Sequence, residues 1–535
     1  MDNPAGAADN AVTPNAVTPN YVIRALELFA DYGDREAIVF GETRLTYAEV
    51  RSEVLALARL LHENGVKPGA GVALIMKNRP EAVAMQLALH LLGCRTVWIA
   101  TYAPYRDQIE FVRLADVEVL IYHTNTVKGG RLVEELTAPG AAPLSLFYIG
   151  EDGQGTEIPA HVPDAAAGSP ELDPALAGPD PSSLFYSGGT TGRPKLVRHD
   201  QGFYKSLLMI GAYYVSINEP LMRHLAGSGF THVSGQMPGF LALFEGGTFL
   251  MHEGMGPARF LEIVEREQVT SAFLTPTQLY EITAHPDSAT RDTSTLRYLN
   301  VGGAAASPAR LAEAIDRFGP VVRLVYGSSE MPLITDLPFL DHDPEHPQRL
   351  SSCGKPFADI AIEIRNEDGK VLDPGETGEV WTRSSMAMAG YWQDPELTRA
   401  TLVDGWVRTG DIGHLDSDGY LYLVDRLNDM IVTSADAANV YARVIEDVLT
   451  SHPKVYNAAV IGVPDEQWGE AVCAYVVTAP GASVSAQELR DLVRTELNAI
   501  HEPRDVEFVD ALPVTGIGKV DKKQLRSRHA APAGS

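Results

Sequence analysis

From Tyr21 onward, apolar residues are spaced for alternating helices and strands. Val50, Val54, Leu57, Leu60 and Leu61 recur at helical spacing between Val50 and Asn64, and Gly65 stops the run. A strand-like stretch, Val72–Met76, follows. The most apolar long stretch is Ala82–Ala100, but Gln86, His90, Gly93 and Arg95 interrupt it. It therefore predicts a core helix and then a strand, not a membrane span. Continued alternation of this kind predicts α/β layers on parallel strands.

Between Pro139 and Pro181 the chain is rich in Pro, Gly, Ala and acids, which predicts a long surface connection with one strand at Leu144–Ile149. A buried strand, Leu184–Tyr186, then leads into a glycine-rich loop. Short strands and turn signals (EDG at Glu367, DPGETGE from Asp373, DSDGY from Asp416) make Ser351–Asp429 β-rich. After Met430 the pattern predicts a helix (Arg443–Leu449), two strands (Val455–Val463, Ala471–Val477), a helix (Ala486–Leu497) and a last strand (Val506–Val509). That is a compact α+β unit of about 100 residues. The expected division is a large N-terminal domain at 21–427 and a small domain at 428–528, with the boundary at Asn428. Residues 1–20, which repeat NAVTP twice, and residues 529–535 are expected as tails.

Charge narrows the function. The chain has 43 Lys+Arg against 70 Asp+Glu, a net −27, so most of its surface repels phosphate and no nucleic-acid partner is expected. A small polyanion needs a local positive site. Cys94, Cys353 and Cys473 form no CxxC pair, which excludes a disulfide framework and fits buried thiols in a reducing compartment. With neither a secretory pattern nor a spanning helix, a cytoplasmic protein without a membrane partner is expected.

The positive site is legible in Tyr186–Val197, YSGGTTGRPKLV. Gly188, Gly189 and Gly192 let backbone N–H groups approach a phosphate. Ser187, Thr190 and Thr191 add hydroxyls, and Lys195 adds charge. It is not a Walker A loop, because Arg193 and Pro194 separate the last glycine from the lysine.

Further motifs follow: GGAA at Gly302–Ala305 after the strand-like Leu296–Val301; YGSSE at Tyr326–Glu330 after Val321–Val325; GWVRTGDIG at Gly405–Gly413; YLVDR at Tyr422–Arg426; and LPVTGIGKVDKK at Leu512–Lys523. In this order they resemble the adenylate-forming ligases, which include acyl-CoA synthetases, aryl-acid AMP ligases, nonribosomal adenylation domains and luciferases. The resemblance covers about Tyr21 to Arg526. It implies an α/β fold with a large N-terminal domain of layered α/β subdomains and a β-rich subdomain, plus a small, mobile α+β C-terminal domain hinged at Asn428. It implies ATP and Mg²⁺ as cofactors. Ser187, Gly188, Gly189, Thr191, Gly192, Gly303, Ala304, Tyr326, Gly327 and Ser329 would bind the nucleotide, with Tyr326 stacking on adenine. Asp411 and Arg426 would hold the ribose. Glu330 and Thr190 would hold Mg²⁺, an ion suited to oxygen ligands. Lys195 would neutralise phosphate, and Lys519 would be the catalytic lysine, contacting carboxylate and α-phosphate. His232, Met237, Gly302 and Met331, with Phe240, would line the acid pocket, for which an aromatic or arylacrylic acid fits best.

The chain departs from that pattern after the hinge. Met430–Tyr441 has no glycine pair, and Ser434, Ala435, Asp436 and Ala437 stand where close approach to CoA is expected. Near the C-terminus, His501-Glu502-Pro503 puts an acid where a base is usual. Three readings compete: adenylation followed by transfer to CoA or a carrier-protein phosphopantetheine; activation of nitrite for coupling to an aminoaryl acid; and a non-catalytic nucleotide binder.

Overall fold

A computed structural model describes residues 20–99, 105–126, 131–138, 143–159, 171–187, 195–338, 347–426, 431–433, 438–465, 469–515 and 519–530. Among these residues two large mixed sheets build the N-terminal body. In the first, six parallel strands lie side by side: Val322–Tyr326, Tyr298–Gly302, Ser271–Leu274, Arg223–Leu225, Thr248–Met251 and Glu36–Phe40. In the second, the strands from Ser182–Ser187 through Arg95–Trp98, Gly71–Ile75 and Val119–His123 to Ser145–Ile149 are parallel. The expected parallel core is present. Antiparallel strands flank it, notably Lys195–Asp200 on Ser182–Ser187 and Gly390–Tyr391 on Lys195–Asp200, while the other edge of the second sheet, Thr156–Glu157 on Ser145–Ile149, is parallel. A largely continuous apolar core, with Trp98, Phe203, Tyr204, Phe230 and Phe240 buried in it, fills the space between the two sheets and their helices.

The helix predicted from Val50 starts earlier, spanning Tyr47–Glu63. Thr46 and Glu49 form a reciprocal capping box that satisfies its first amides. Asn20, expected in the tail, is buried instead. Its Oδ1 caps the helix Tyr21–Tyr32, and its Nδ2 donates to the carbonyls of His90, at 2.6 Å, and Gly178, at 3.0 Å. The other tail residues up to 19 lie outside the described residues.

An antiparallel sheet (Ala361–Arg365, Gly378–Arg383, Trp406–Leu415, Leu402–Val403, Leu421–Arg426) forms the β-rich subdomain. The small domain is a second five-stranded sheet. Val455–Asp465 and Gly469–Thr478 form its long central pair, and the helices Ala442–Ser451 and Ala486–Glu496 accompany it. Two elements were not predicted there. One is the hairpin Ile431–Thr433/Ala438–Val440. The other is the helix Lys522–Ala530, which runs past residue 528 and whose basic, weakly patterned sequence gives no helical signal. Asn428, like Ser434–Ala437, lies outside the described residues.

Candidate active site

The two parallel sheets end on one crevice of 1270 Å³. The antiparallel strands that flank the glycine-rich segment end at it: Ser187 pairs with Lys195, and both line the crevice. Residues 188–194, including Gly188, Gly189, Thr190, Thr191 and Gly192, lie outside the described residues.

The YGSSE segment turns sharply after its strand. Ser328, not singled out in the sequence, makes the turn: its Oγ accepts from the amides of Glu330, at 3.2 Å, and Met331, at 3.1 Å. Gly327 is required because a Cβ there would lie 2.3 Å from the Pro332 carbonyl. The Ser329 carbonyl is held by His199 Nε2 at 2.7 Å. Glu330 lines the crevice, and Tyr391 Oη donates to its Oε1 at 2.8 Å. The same Tyr391 ring lies 5.5 Å from Lys195 Nζ. Tyr391 was not legible in the sequence, since only strand pairing far along the chain brings it here.

Tyr326 Oη donates to Asp411 Oδ2 at 2.5 Å, and Asp411 is almost fully buried. Burial, then the Asp411 charge, pushes the tyrosine well above its usual range. Arg426 pairs with Asp411 through the backbone of adjacent strands; its side chain lies outside the described residues.

A smaller cavity of 340 Å³ adjoins the crevice, lined by Ala304, Asp411 and Arg443 among others. Gly303, Tyr326, Gly327 and Lys519 line both spaces. Lys519 thus stands where they meet. Its loop is braced by the Thr515 amide donating to the Lys519 carbonyl at 2.7 Å and by the Val514–Val520 bridge. Gly303, at φ +87°, lies beside the lysine: a Cβ there would make an ordinary contact of 3.6 Å with Lys519 Cε. Arg310 docks the small domain, donating to the Val455 carbonyl at 3.2 Å with its guanidinium over Tyr456.

His232 and Met237 line the crevice. Burial, and then the Lys519 charge, lowers the His232 pKa to about 4, so the imidazole is neutral at physiological pH. Gly302, Met331 and Phe240 do not line it. Gly302 lies within its strand, with Val325 O 2.6 Å from where a Cβ would be, and Met331 and Phe240 are fully buried in the core behind. Glu502, read as an acid displacing a base, pairs with Arg490 at 2.9 Å and with Arg494, tying the chain after the helix Ala486–Glu496 back onto it.

Two mixed sheets, a β-rich subdomain and a small α+β domain that delivers a lysine to the shared cleft define an adenylate-forming enzyme. Residues 27–392 match the family model of the AMP-binding enzyme, and residues 444–519 that of the AMP-binding enzyme C-terminal domain. The chain belongs to this family and is an AMP-forming, acyl-CoA ligase-like enzyme. It is 34% identical over 524 residues to a medium/long-chain-fatty-acid–CoA ligase of Mycobacterium tuberculosis, covering 94% of this chain and 88% of that one. It is 33% identical over 504 residues to a feruloyl-CoA synthase of Amycolatopsis, covering 92% and 95%. The amide bond synthetase McbA from Marinactinospora thermotolerans superimposes with a TM-score of 0.83 at 35% identity, covering 95% of this chain and 99% of that one. ATP binding and acid substrates with CoA or carrier-protein acceptors are typical of these relatives. The reading as a non-catalytic nucleotide binder falls away. Among the described residues no helix is long and apolar enough to cross a membrane.

Proposed function

We propose that this enzyme adenylates a carboxylic acid carrying an aromatic or arylacrylic group, then transfers the acyl group to the thiol of CoA or of a carrier-protein phosphopantetheine. The observation that carries this reading is the position of Lys519 at the junction of the two cavities. The larger cavity suits the acid and the smaller suits the nucleoside. A carboxylate oxygen attacks the α-phosphorus, the bond to pyrophosphate breaks, and pyrophosphate leaves. Lys519 offsets negative charge on the attacking carboxylate and the α-phosphate as it shifts during displacement. Lys195 neutralises the outgoing phosphates beside the glycine-rich loop. Neutral His232 flanks the acid without adding a charge to its pocket. Glu330 offers a carboxylate fixed by Tyr391, an oxygen donor of the kind Mg²⁺ takes; bound there with Thr190, the ion would neutralise phosphate charge.

A nitrogen acceptor is the second reading. It is favoured by the likeness to an amide bond synthetase and by the lack of a glycine pair at Ser434–Ala437. Pyrophosphate release measured across a panel of acids, with CoA, with amines, and with nitrite plus aminoaryl acids, separates the readings. Acid-dependent release with an acyl-CoA product supports the thiol. An amide product with no thioester supports nitrogen. Release that requires nitrite overturns both.

A further inference from the structure

The large cavity continues past the acid pocket. From Gly303 and Lys519 it follows the face of the first sheet, with Phe273 and Val325 on the sheet side and Leu207, Ile210 and Leu241 on the helical side. It reaches Tyr298 at the opposite end of the strand that Gly302 closes. Five residue steps separate Tyr298 from Gly303, which at about 3.3 Å per residue is about 16 Å of channel.

At that far end the lining turns polar. Arg323 pairs with Asp336, and Tyr298 donates to Glu219. Glu245 caps the helix Val233–Phe244 and is 2% exposed, yet it lines the cavity. Its Oε1 accepts from the Met222 amide at 2.6 Å. Its second oxygen receives no hydrogen bond among the described residues. That oxygen is not sealed in the core but opens on the cavity, where a donor group entering the channel can reach it. Burial raises its pKa to about 7; Arg297 opposes the rise and Glu219 adds to it. A carboxyl so placed gains from a partner that favours its ionised form.

We infer that Glu245 forms a distal subsite of the acid pocket, one that selects an extended carboxylic acid bearing an amine or hydroxyl at the end remote from its carboxylate. The apolar walls between Lys519 and Glu245 take the body of such an acid, and the two polar ends fix its register. This rests on the reading that the cavity takes the acid to be activated.

The test compares acids of equal length ending in amino, hydroxyl or methyl groups, by pyrophosphate release, with benzoate as the short reference. Amino- or hydroxyl-ended acids should exceed the methyl-ended acid in kcat/KM by roughly tenfold or more. Glu245→Met should erase that ratio while the melting temperature reports whether the variant folds. Ile210→Trp, on the helical wall beside Glu245, should lower kcat/KM for the extended acids more than for benzoate. A methyl-ended acid used as well as the others by the unaltered enzyme overturns the inference while leaving adenylation intact. If no acid releases pyrophosphate, the adenylation reading fails first. Calorimetric binding of the same acids then decides the subsite, and equal affinity for all ends overturns it.

Discussion

Tyr391 donates to Glu330 across 2.8 Å, joining an edge strand of the second sheet to the turn after a strand of the first. The hydroxyl steadies the carboxylate proposed to face Mg²⁺, and the same ring lies beside Lys195. A hydrogen bond to a charged group contributes about 1.5–3 kcal/mol. Tyr391→Phe should therefore raise the Mg²⁺ concentration giving half-maximal adenylation by roughly tenfold, while Glu330→Ala should remove most activity. Mg²⁺ titration of acid-dependent pyrophosphate release checks both. An unchanged midpoint in Tyr391→Phe separates the tyrosine from metal binding.

His224 is enclosed in the first sheet, with its Nδ1 3.0 Å from Ser271 Oγ. Burial lowers its pKa to about 3, against about 6.5 in an unfolded chain. Between those values the unfolded chain holds the proton and the folded chain does not. The stability this site contributes is thus complete above pH 6.5 and is lost as pH falls, about 2 kcal/mol by pH 5. Glu53, raised to about 7 by burial, works the other way: its contribution declines as pH rises from 4.5 to 7. His224→Gln should accordingly flatten the loss of stability between pH 6.5 and 5 relative to the unaltered chain. Urea unfolding at both pH values reads this, and parallel slopes would remove His224 as a cause.

Asn20 ties the start of the folded chain to two distant segments through the carbonyls of His90 and Gly178. Loss of an N-cap costs about 1 kcal/mol, and the buried Gly178 carbonyl left without its Asn20 donor costs about 1–3 kcal/mol more, whereas the His90 carbonyl keeps the Gly93 amide. Asn20→Ala should lower unfolding free energy by about 2–4 kcal/mol, and a deletion ending at residue 19 should lower it far less. Denaturant midpoints of the two variants distinguish a structural Asn20 from the last residue of a tail.

The parallel core was legible because apolar runs such as Val72–Met76 repeat between helical stretches, and the site strings were legible because glycine turns, a lysine and carboxylates recur in fixed order. What sequence spacing missed was made by tertiary contact. Tyr391 reaches the site only because Gly390–Tyr391 pairs with Val197 and Arg198. Glu245 reads as a polar helix end until the channel behind it is seen. Asn20 follows a low-complexity repeat that hides its cap. Met331 and Gly302, read as pocket residues from the motifs around them, lie behind the lining because the turn at Ser328 and the pairing of Gly302 with Val325 direct them away.

Lys519 lies in a braced loop at the meeting of the two cavities, beside Gly303 at φ +87°. If it acts on charge that shifts in the transition state, its loss costs rate and not ground-state binding. Lys519→Ala should lower acid-dependent pyrophosphate release by about 10²–10³ while ATP affinity stays within a few-fold. Gly303→Ala should show a milder version of the same pattern, because an alanine strains the left-handed backbone at φ +87° on which Lys519 Cε rests. Single-turnover formation of the adenylate, set beside equilibrium ATP binding, separates the two effects. Near-normal turnover in Lys519→Ala would remove the lysine from adenylation. A loss confined to ATP affinity would make it a nucleotide-binding residue alone.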